Sequence, residues 1–364
     1  MAKEHLGHLN QDLLAEILSR LDGPNLAAAA CSCSDLRRVA KEERLWVDLC
    51  HETWPSTKEK TTHNLISSLG GFTKFYADSY PLLVYRKDPK VPRAASHVSP
   101  SDFVSFIDVY YKKKCIFSKV LHGISGTDDS CDGNENFDWW FLDCPFRIDV
   151  LNYQRGSTAL DDDGFDDGQD VQDHDEVTMA SLPSIPMVEK KQRGNSKFCR
   201  KLGKNVRLSW VLLNTKTGKA VNLSSWKPIL VQRHWPSESD FLMRFGCVVP
   251  VEEQLLPCTS AECVISVRCR LLEREGCLRW TEISMYVEDM EGAHVSGRTG
   301  IMLLEGALGC ERSRHNWEVE MGYGEYMREK REMVQKKMKN EGFADMLCLF
   351  SGIALLGSLC FLVL

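Results

Sequence analysis

Nine short runs rich in aromatic and β-branched residues follow one another between residues 102 and 306, with no helical period between them. They are 102–111 (DFVSFIDVYY), 115–121 (CIFSKVL), 137–151 (FDWWFLDCPFRIDVL), 206–213 (VRLSWVLL), 228–235 (PILVQRHW), 241–249 (FLMRFGCVV), 263–271 (CVISVRCRL), 278–288 (LRWTEISMYVE) and 301–306 (IMLLEG). Residues of this kind fit a pleated, half-buried surface. Parallel strands need crossover connections, usually helical, and none is signalled here. The expectation is an antiparallel β-sandwich or barrel-like domain spanning 72–322.

One stretch interrupts the strands. Between Asp161 and Glu176 there are nine acidic residues and no Lys or Arg; Lys190, Lys191, Arg193, Lys197, Arg200 and Lys201 follow. Low hydrophobicity and blocks of like charge predict a disordered insertion over 154–204, a solvated loop between strands. A docking tail for a basic partner is the sharper alternative.

The amino end has a different period. In LNQDLLAEILSRL, residues Leu9, Leu13, Leu14, Ile17, Leu18 and Leu21 fall on one broad helical stripe. Asn10 is placed to cap the helix and Gly23-Pro24 to stop it. A second helix follows from Asn25, and a third over DLRRVAKEERLWVDLC breaks near Lys41. Polar residues 56–70 read as a linker. A unit of about 45 residues buries little surface alone. Leu9, Leu13, Ile17, Leu18 and Leu21, with Leu26 and Leu45-Trp46, therefore make an apolar surface that implies a partner.

Composition removes several function classes. The chain has 364 residues, a net charge of −6, 43% hydrophobic and 26% charged residues. That is ordinary globular protein without the basic excess of a nucleic-acid binder. Fifteen cysteines are an odd number without a Cys-x-x-Cys or an export signal. They read as reduced and mostly buried, neither a disulfide framework nor a metal site. No catalytic serine elbow, zinc-protease helix or phosphate-binding glycine loop occurs, and no cofactor is implied. The polar–aromatic clusters His234-Trp235 and Trp139-Trp140 read mainly as sheet core and rim; they are the weak candidates for target recognition.

At the carboxyl end, 326–345 reads as a charged juxtamembrane helix. The run 346–364, MLCLFSGIALLGSLCFLVL, carries no charge. As a helix it spans roughly 28 Å, close to a bilayer core. The expectation is a single transmembrane tail anchor. Cations at Arg328, Lys330, Arg331, Lys336, Lys337 and Lys339 would hold residues 1–345 in the cytosol, with the membrane as a partner. On that topology the sequon at Asn222 is not glycosylated.

The amino-terminal residues also resemble a family. Leu9, Leu13-Leu14, Ile17-Leu18, Leu21, Pro24, Leu26, Cys33, Leu36 and Leu45-Trp46 match the pattern of an F-box within residues 1–55. Asn10 stands where the family usually has Pro. The stretches FYADSYPLL, NLSSWKPILVQRHWP and YVEDMEG are similar to a small group of plant F-box proteins that includes cytokinin-induced, tail-anchored members. The resemblance implies a non-catalytic subunit of a ubiquitin ligase. Its F-box would bind a Skp-family adaptor and, through it, a cullin, while the β domain recruits a target the sequence does not identify. The fold expected is therefore α+β and multidomain: a three-helix F-box, a β-rich domain and a transmembrane helix. The rival reading is a ligand-binding, interaction or enzymatic β domain that the helices merely cap, with their stripe covered by this same chain.

Overall fold

The computed structural model describes residues 10–87, 98–124, 142–153, 182–186 and 196–363, apart from 236, 238, 253, 273 and 274. Leu9, Trp139 and Trp140 lie outside the described residues, as do the acidic run 161–176 and most side chains of 341–363.

Among the described residues six helices come first: α1 (Gln11–Leu18), α2 (Gly23–Ser32), α3 (Ser34–Ala40), α4 (Glu43–Thr53), α5 (Lys60–Ser68) and α6 (Gly71–Ser79). Side chains close the starts of the first three. Asn10 accepts from the Asp12 N–H, Asp22 from Asn25 at 2.9 Å, and Cys33 Sγ from Leu36 at 3.5 Å. Gly23-Pro24 begins α2 rather than stopping α1, since Pro suits a first helical position. The break near Lys41 is present, separating α3 from α4. Residues 56–70 are not a linker. A 3₁₀ turn over Pro55–Lys58 runs into α5, where only Thr62 and Ile66 are buried.

The strands are β1 (Leu82–Leu83), β2 (Phe103–Tyr111), β3 (Lys114–His122), β4 (Arg147–Asn152), β5 (Ser184–Pro186), β6 (Val206–Asn214), β7 (Ala220–Asn222), β8 (Leu230–Arg233), β9 (Asp240–Pro250), β10 (Ser260–Leu272), β11 (Cys277–Glu288) and β12 (Arg312–Ser313). One sheet runs β12-β1-β7-β6-β2-β3, the other β4-β11-β10-β9-β8 with β5 beside β11. All pairs are antiparallel except β1 with β7. Later described helices are α7 (Ser196–Asn205), α8 (Gly297–Ala307) and α9 (Asn316–Val363). Thus β5 and α7 build parts of the stretch expected to be a disordered insertion into the fold. The run 301–306, expected as a strand, belongs to α8, whose Ile301, Leu303, Leu304 and Ala307 face the core.

The period-2 alternation of strand side chains divides the interior into layers. Phe103, Ile107 and Val109 of β2, with Leu208, Trp210 and Leu212 of β6, meet Phe241, Phe245, Ile265, Val267, Ile283 and Met285 of the second sheet. This is a sandwich core. The alternate residues Val104, Phe106, Val211, Leu213 and Ala220 point the other way, onto Trp54, Phe72, Phe75 and Tyr76 of the helical layer. The central strands are covered on both faces, which is why they read as unbroken apolar runs. Among the described residues twelve cysteines are free: Cys50, Cys247, Cys263 and Cys269 are buried, Cys31 is exposed and the others are half-buried.

The carboxyl-terminal expectation is overturned. Residues 316–363 form one helix of 48 residues, so 346–363 is no separate element. Among the described residues, no helix is long and apolar enough to cross a membrane. The transmembrane tail anchor, the membrane partner and the cytosolic orientation drawn from it fall together. Two of the flanking charges, Lys330 and Lys337, have another role. Lys330 lies 3.3 Å from Glu262 and 3.5 Å from Glu288, and Arg244 lies 3.1 and 2.9 Å from the same two carboxylates. Tyr323 donates to Glu262 at 2.7 Å, and Lys337 pairs with Glu291. Glu262 is buried and satisfied on every side, as a buried charge must be. The first half of α9 is thus a strut locked on the outer face of the second sheet. Gly322 lets it approach: a Cβ there would meet the Tyr85 carbonyl oxygen at 2.8 Å.

Candidate functional site

On α1 the apolar stripe is split by the fold. Leu14 and Leu18 face inward, with 3% and 2% of their surface exposed, and α1 packs on α3. Leu13 and Ile17, one turn apart, are each 47% exposed. Residues four apart on a helix are neighbours, so the two form one uncovered apolar ridge. Leu21 beyond them is half-buried. Polar groups frame the ridge: Glu16 pairs with Arg20 at 2.9 Å, and Gln11 donates to Glu42 at 3.3 Å. Leu26, Leu45 and Trp46, expected to face a partner, are core residues instead. The Trp46 indole N–H donates to the Ala40 carbonyl at 2.7 Å, closing the α3–α4 corner. Leu18 joins them inside. A helical period identifies an apolar stripe but not which edge of it the chain keeps for itself.

The ridge rests on a rigid base. Trp54, buried at the end of α4, donates to Ser209 Oγ of β6 at 2.9 Å. Its ring meets Phe75 edge-on at 5.6 Å, and Phe75 meets Phe106 at 5.3 Å. Ser56 gives both its N–H, at 3.0 Å, and its hydroxyl to the Asp108 carboxylate of β2, and Ser118 of β3 adds a third donor at 2.7 Å. Burial pushes the Asp108 carboxyl up to about 6, against the downward pull of these hydrogen bonds. Asn222 is buried too. It accepts from the Trp210 and Ser224 N–H groups and donates to Ser209, so its amide serves the sheet and is closed to a glycan in the folded chain.

Two concavities follow the seam between the helical layer and the sandwich, and a third lies between β1, β9 and α9. At one end a cavity of about 660 Å³ is lined by Lys112, Lys113, Lys204 and Arg207, with Tyr110 and Trp226. Sequence reading missed it. The signal was there in YYKKK, three lysines at the tip of the β2–β3 hairpin. His234 and Trp235 sit beyond β8, away from this seam. His234 is half-buried with its N–H on the Asp240 carbonyl, and Trp235 is 87% exposed. Among the described residues neither is given a catalytic partner: the contacts are the His234 N–H on Asp240 and solvent at Trp235. Among the described residues, no group of three or more His, Cys, Asp or Glu is placed to hold a metal ion.

Comparison with known proteins decides the family. The F-box-like family model matches residues 8–52, the segment that carries the ridge. The probable F-box protein At2g36090 of Arabidopsis thaliana is 31% identical over 93% of this chain and 87% of its own length. The chain belongs to the F-box proteins. F-box protein At2g27310, also of Arabidopsis thaliana, is 29% identical over 97% of this chain and 94% of that protein. The rice F-box protein GID2 is 38% identical over 71 residues, 19% of this chain and 34% of its own. No solved structure matches. In this F-box the residue at the usual Pro position, Asn10, caps α1 through its side chain at 3.4 Å from the Asp12 nitrogen.

Proposed function

We propose that this F-box protein is the substrate-recruiting subunit of a Skp–cullin–F-box ubiquitin ligase, non-catalytic in itself. The observation that carries this reading is the ridge of Leu13 and Ile17, which the chain leaves uncovered while it seals Leu14 and Leu18 beneath. An apolar ridge on a framed helix is the kind of surface a partner protein covers. Leu13, Ile17 and the half-buried Leu21 make the direct contact with a Skp-family adaptor. Leu18, Leu26, Leu45 and Trp46 act from inside, by holding α1 to α4 in place. The sandwich then carries the target at a fixed distance from the adaptor, because Trp54–Ser209 and Ser56–Asp108 tie the two layers together. The likeness to cytokinin-induced plant F-box proteins rests on sequence stretches alone.

The rival, in which the helices only cap the β domain, is half met by the geometry. The helical layer does cover the outer face of the first sheet, but through Trp54, Phe72, Phe75 and Tyr76 rather than through the ridge. Mixing the purified chain with a purified Skp-family adaptor distinguishes the two. A 1:1 complex on size-exclusion chromatography, able to take up the cullin amino-terminal domain, is the expected result. A chain that stays monomeric beside a folded adaptor overturns the proposal.

A further inference from the structure

Among the described residues three non-glycine positions have positive φ: Lys112 at 49°, Lys113 at 68° and Trp226 at 64°. All three line the same cavity. Lys112 and Lys113 are the two central residues of the β2–β3 turn, since Tyr111 pairs with Lys114. Both φ values are positive, the condition that favours Asn-Gly in a hairpin. Trp226 is held by its backbone, its carbonyl taking the Leu208 N–H at 3.1 Å and its N–H giving to Ser224 Oγ at 3.1 Å. Strained positions gather where a surface has to be presented in one conformation.

What they present is positive charge beside aromatic faces. Lys112, Lys113, Lys204 and Arg207 stand against a single carboxylate, Glu52, among the lining residues. None of the four forms an ion pair among the described residues, and burial pulls the Arg207 guanidinium below its usual range. Tyr110 and Trp226 lie ring to ring at 5.5 Å at the wall. The Tyr110 hydroxyl donates to the Thr53 carbonyl, fixing that wall to α4. In a chain of net charge −6, so local an excess of cations is an unfilled half of an ionic contact.

Two further cavities share walls with it. Thr53 and Trp226 also line one of about 170 Å³, together with Tyr80 and Arg314. Leu82 and Asn316 are common to that one and a third, of about 280 Å³, at the foot of α9. A free anion would fill one of them. A series of cavities with shared walls suits an extended chain, with charge at the cationic end and an apolar residue beyond.

The geometry points to the seam groove as the target-docking site of this F-box protein, its occupant an acidic peptide segment anchored by Lys112, Lys113 and Arg207 against Trp226. This deepens the ligase reading and rests on it for the word target. The binding itself does not.

Fluorescence anisotropy with the full chain tests it. The probes are a labelled dodecapeptide rich in Asp and Glu with one Tyr, its phosphoserine form, and the counterpart in which every acid is its amide. Lys112→Asn with Lys113→Gly removes both charges and supplies the residues the turn prefers, so the thermal midpoint is kept or raised. Either acidic peptide binds the native chain, loses at least tenfold in affinity to that double variant and to Arg207→Gln, and outcompetes the amide counterpart. Equal affinity in the variants overturns the assignment. So does binding confined to inorganic phosphate or to a single-stranded RNA dodecamer, or no binding of either acidic peptide. Adaptor capture is measured on the same preparations. Capture without peptide binding sinks the groove and leaves the ligase reading; peptide binding without capture does the reverse.

Discussion

Replacing Leu13 and Ile17 together by Ala separates adaptor binding from folding. Each residue keeps 47% of its surface exposed, so an adaptor that seals the ridge hides about half of each side chain. Burying a whole Leu or Ile is worth about 1.5–3 kcal/mol, which gives about 0.8–1.5 for each half and about 1.5–3 for the pair. At about 1.4 kcal/mol per decade the double variant binds roughly 10- to 150-fold more weakly. The cost to the fold is smaller than for the neighbouring residues. Ala is the best helix former, and only the covered half of each side chain is lost. Leu18→Ala, at a position 2% exposed, costs about 2–5 kcal/mol of stability by opening a cavity. The assay is calorimetric titration of the full chain with a purified Skp-family adaptor, paired with thermal melts. The reasoning is refuted if Leu13→Ala with Ile17→Ala keeps native affinity. It is refuted equally if affinity among Leu13, Ile17 and Leu18 variants follows stability alone.

Three further outcomes follow from the packing. The raised carboxyl of Asp108 means the folded chain holds a proton more tightly than the unfolded chain, where an Asp titrates near about 3.9. Its contribution is therefore full below about pH 4, is lost as pH rises through 6, and is flat above; two units amount to about 3 kcal/mol. Asp108→Asn removes that component, so denaturation midpoints measured from pH 4 to pH 7 lose this slope, and an unchanged slope argues against the assignment. Gly322→Val drives a side chain into the Tyr85 backbone, costs about 1–3 kcal/mol and lowers the melting midpoint by several degrees; a neutral effect would mean α9 is not seated there. Trp54→Phe removes one of the two donors to Ser209, whose hydroxyl keeps that of Asn222, so the lost hydrogen bond costs about 0.5–1.5 kcal/mol with adaptor affinity unchanged, as double-mutant cycles with Ser209→Ala would show.

Much of the fold is legible in the sequence, for physical reasons that also mark where legibility ends. The runs at 102–111, 206–213 and 241–249 are rich in β-branched and aromatic residues on both faces, as strands covered on both sides are, and they are strands. The amino-terminal stripe has an unmistakable helical period, and its helix is present. Residues 301–306 fail because Ile301, Leu303 and Leu304 form a short apolar run whose period is ambiguous, and Gly297 and Gly300 hide the helix start. Residues 60–68 fail for the opposite reason: Ile66 is the only apolar side chain that α5 buries, too narrow a stripe to register. The charged half of α9 looks like a membrane flank until Glu262 and Glu288, some seventy and forty residues upstream, are found beneath Lys330. No local pattern announces a long-range ion pair. The site divides likewise. The stripe points to an interface, but only the fold shows that Leu13 and Ile17 form its uncovered edge while Leu18, Leu26, Leu45 and Trp46 are kept inside. The cationic groove joins a hairpin tip, the end of α7 and a loop residue that are far apart in the chain.

Hydrogen exchange of the full chain, read by mass spectrometry with and without a saturating Skp-family adaptor, tests the central claim most directly. The account predicts slowed exchange across 10–33, which holds α1 and α2, and no change in β9, β10 and β11. Slowing confined to the sandwich, or none anywhere while the adaptor is folded and in excess, would contradict it.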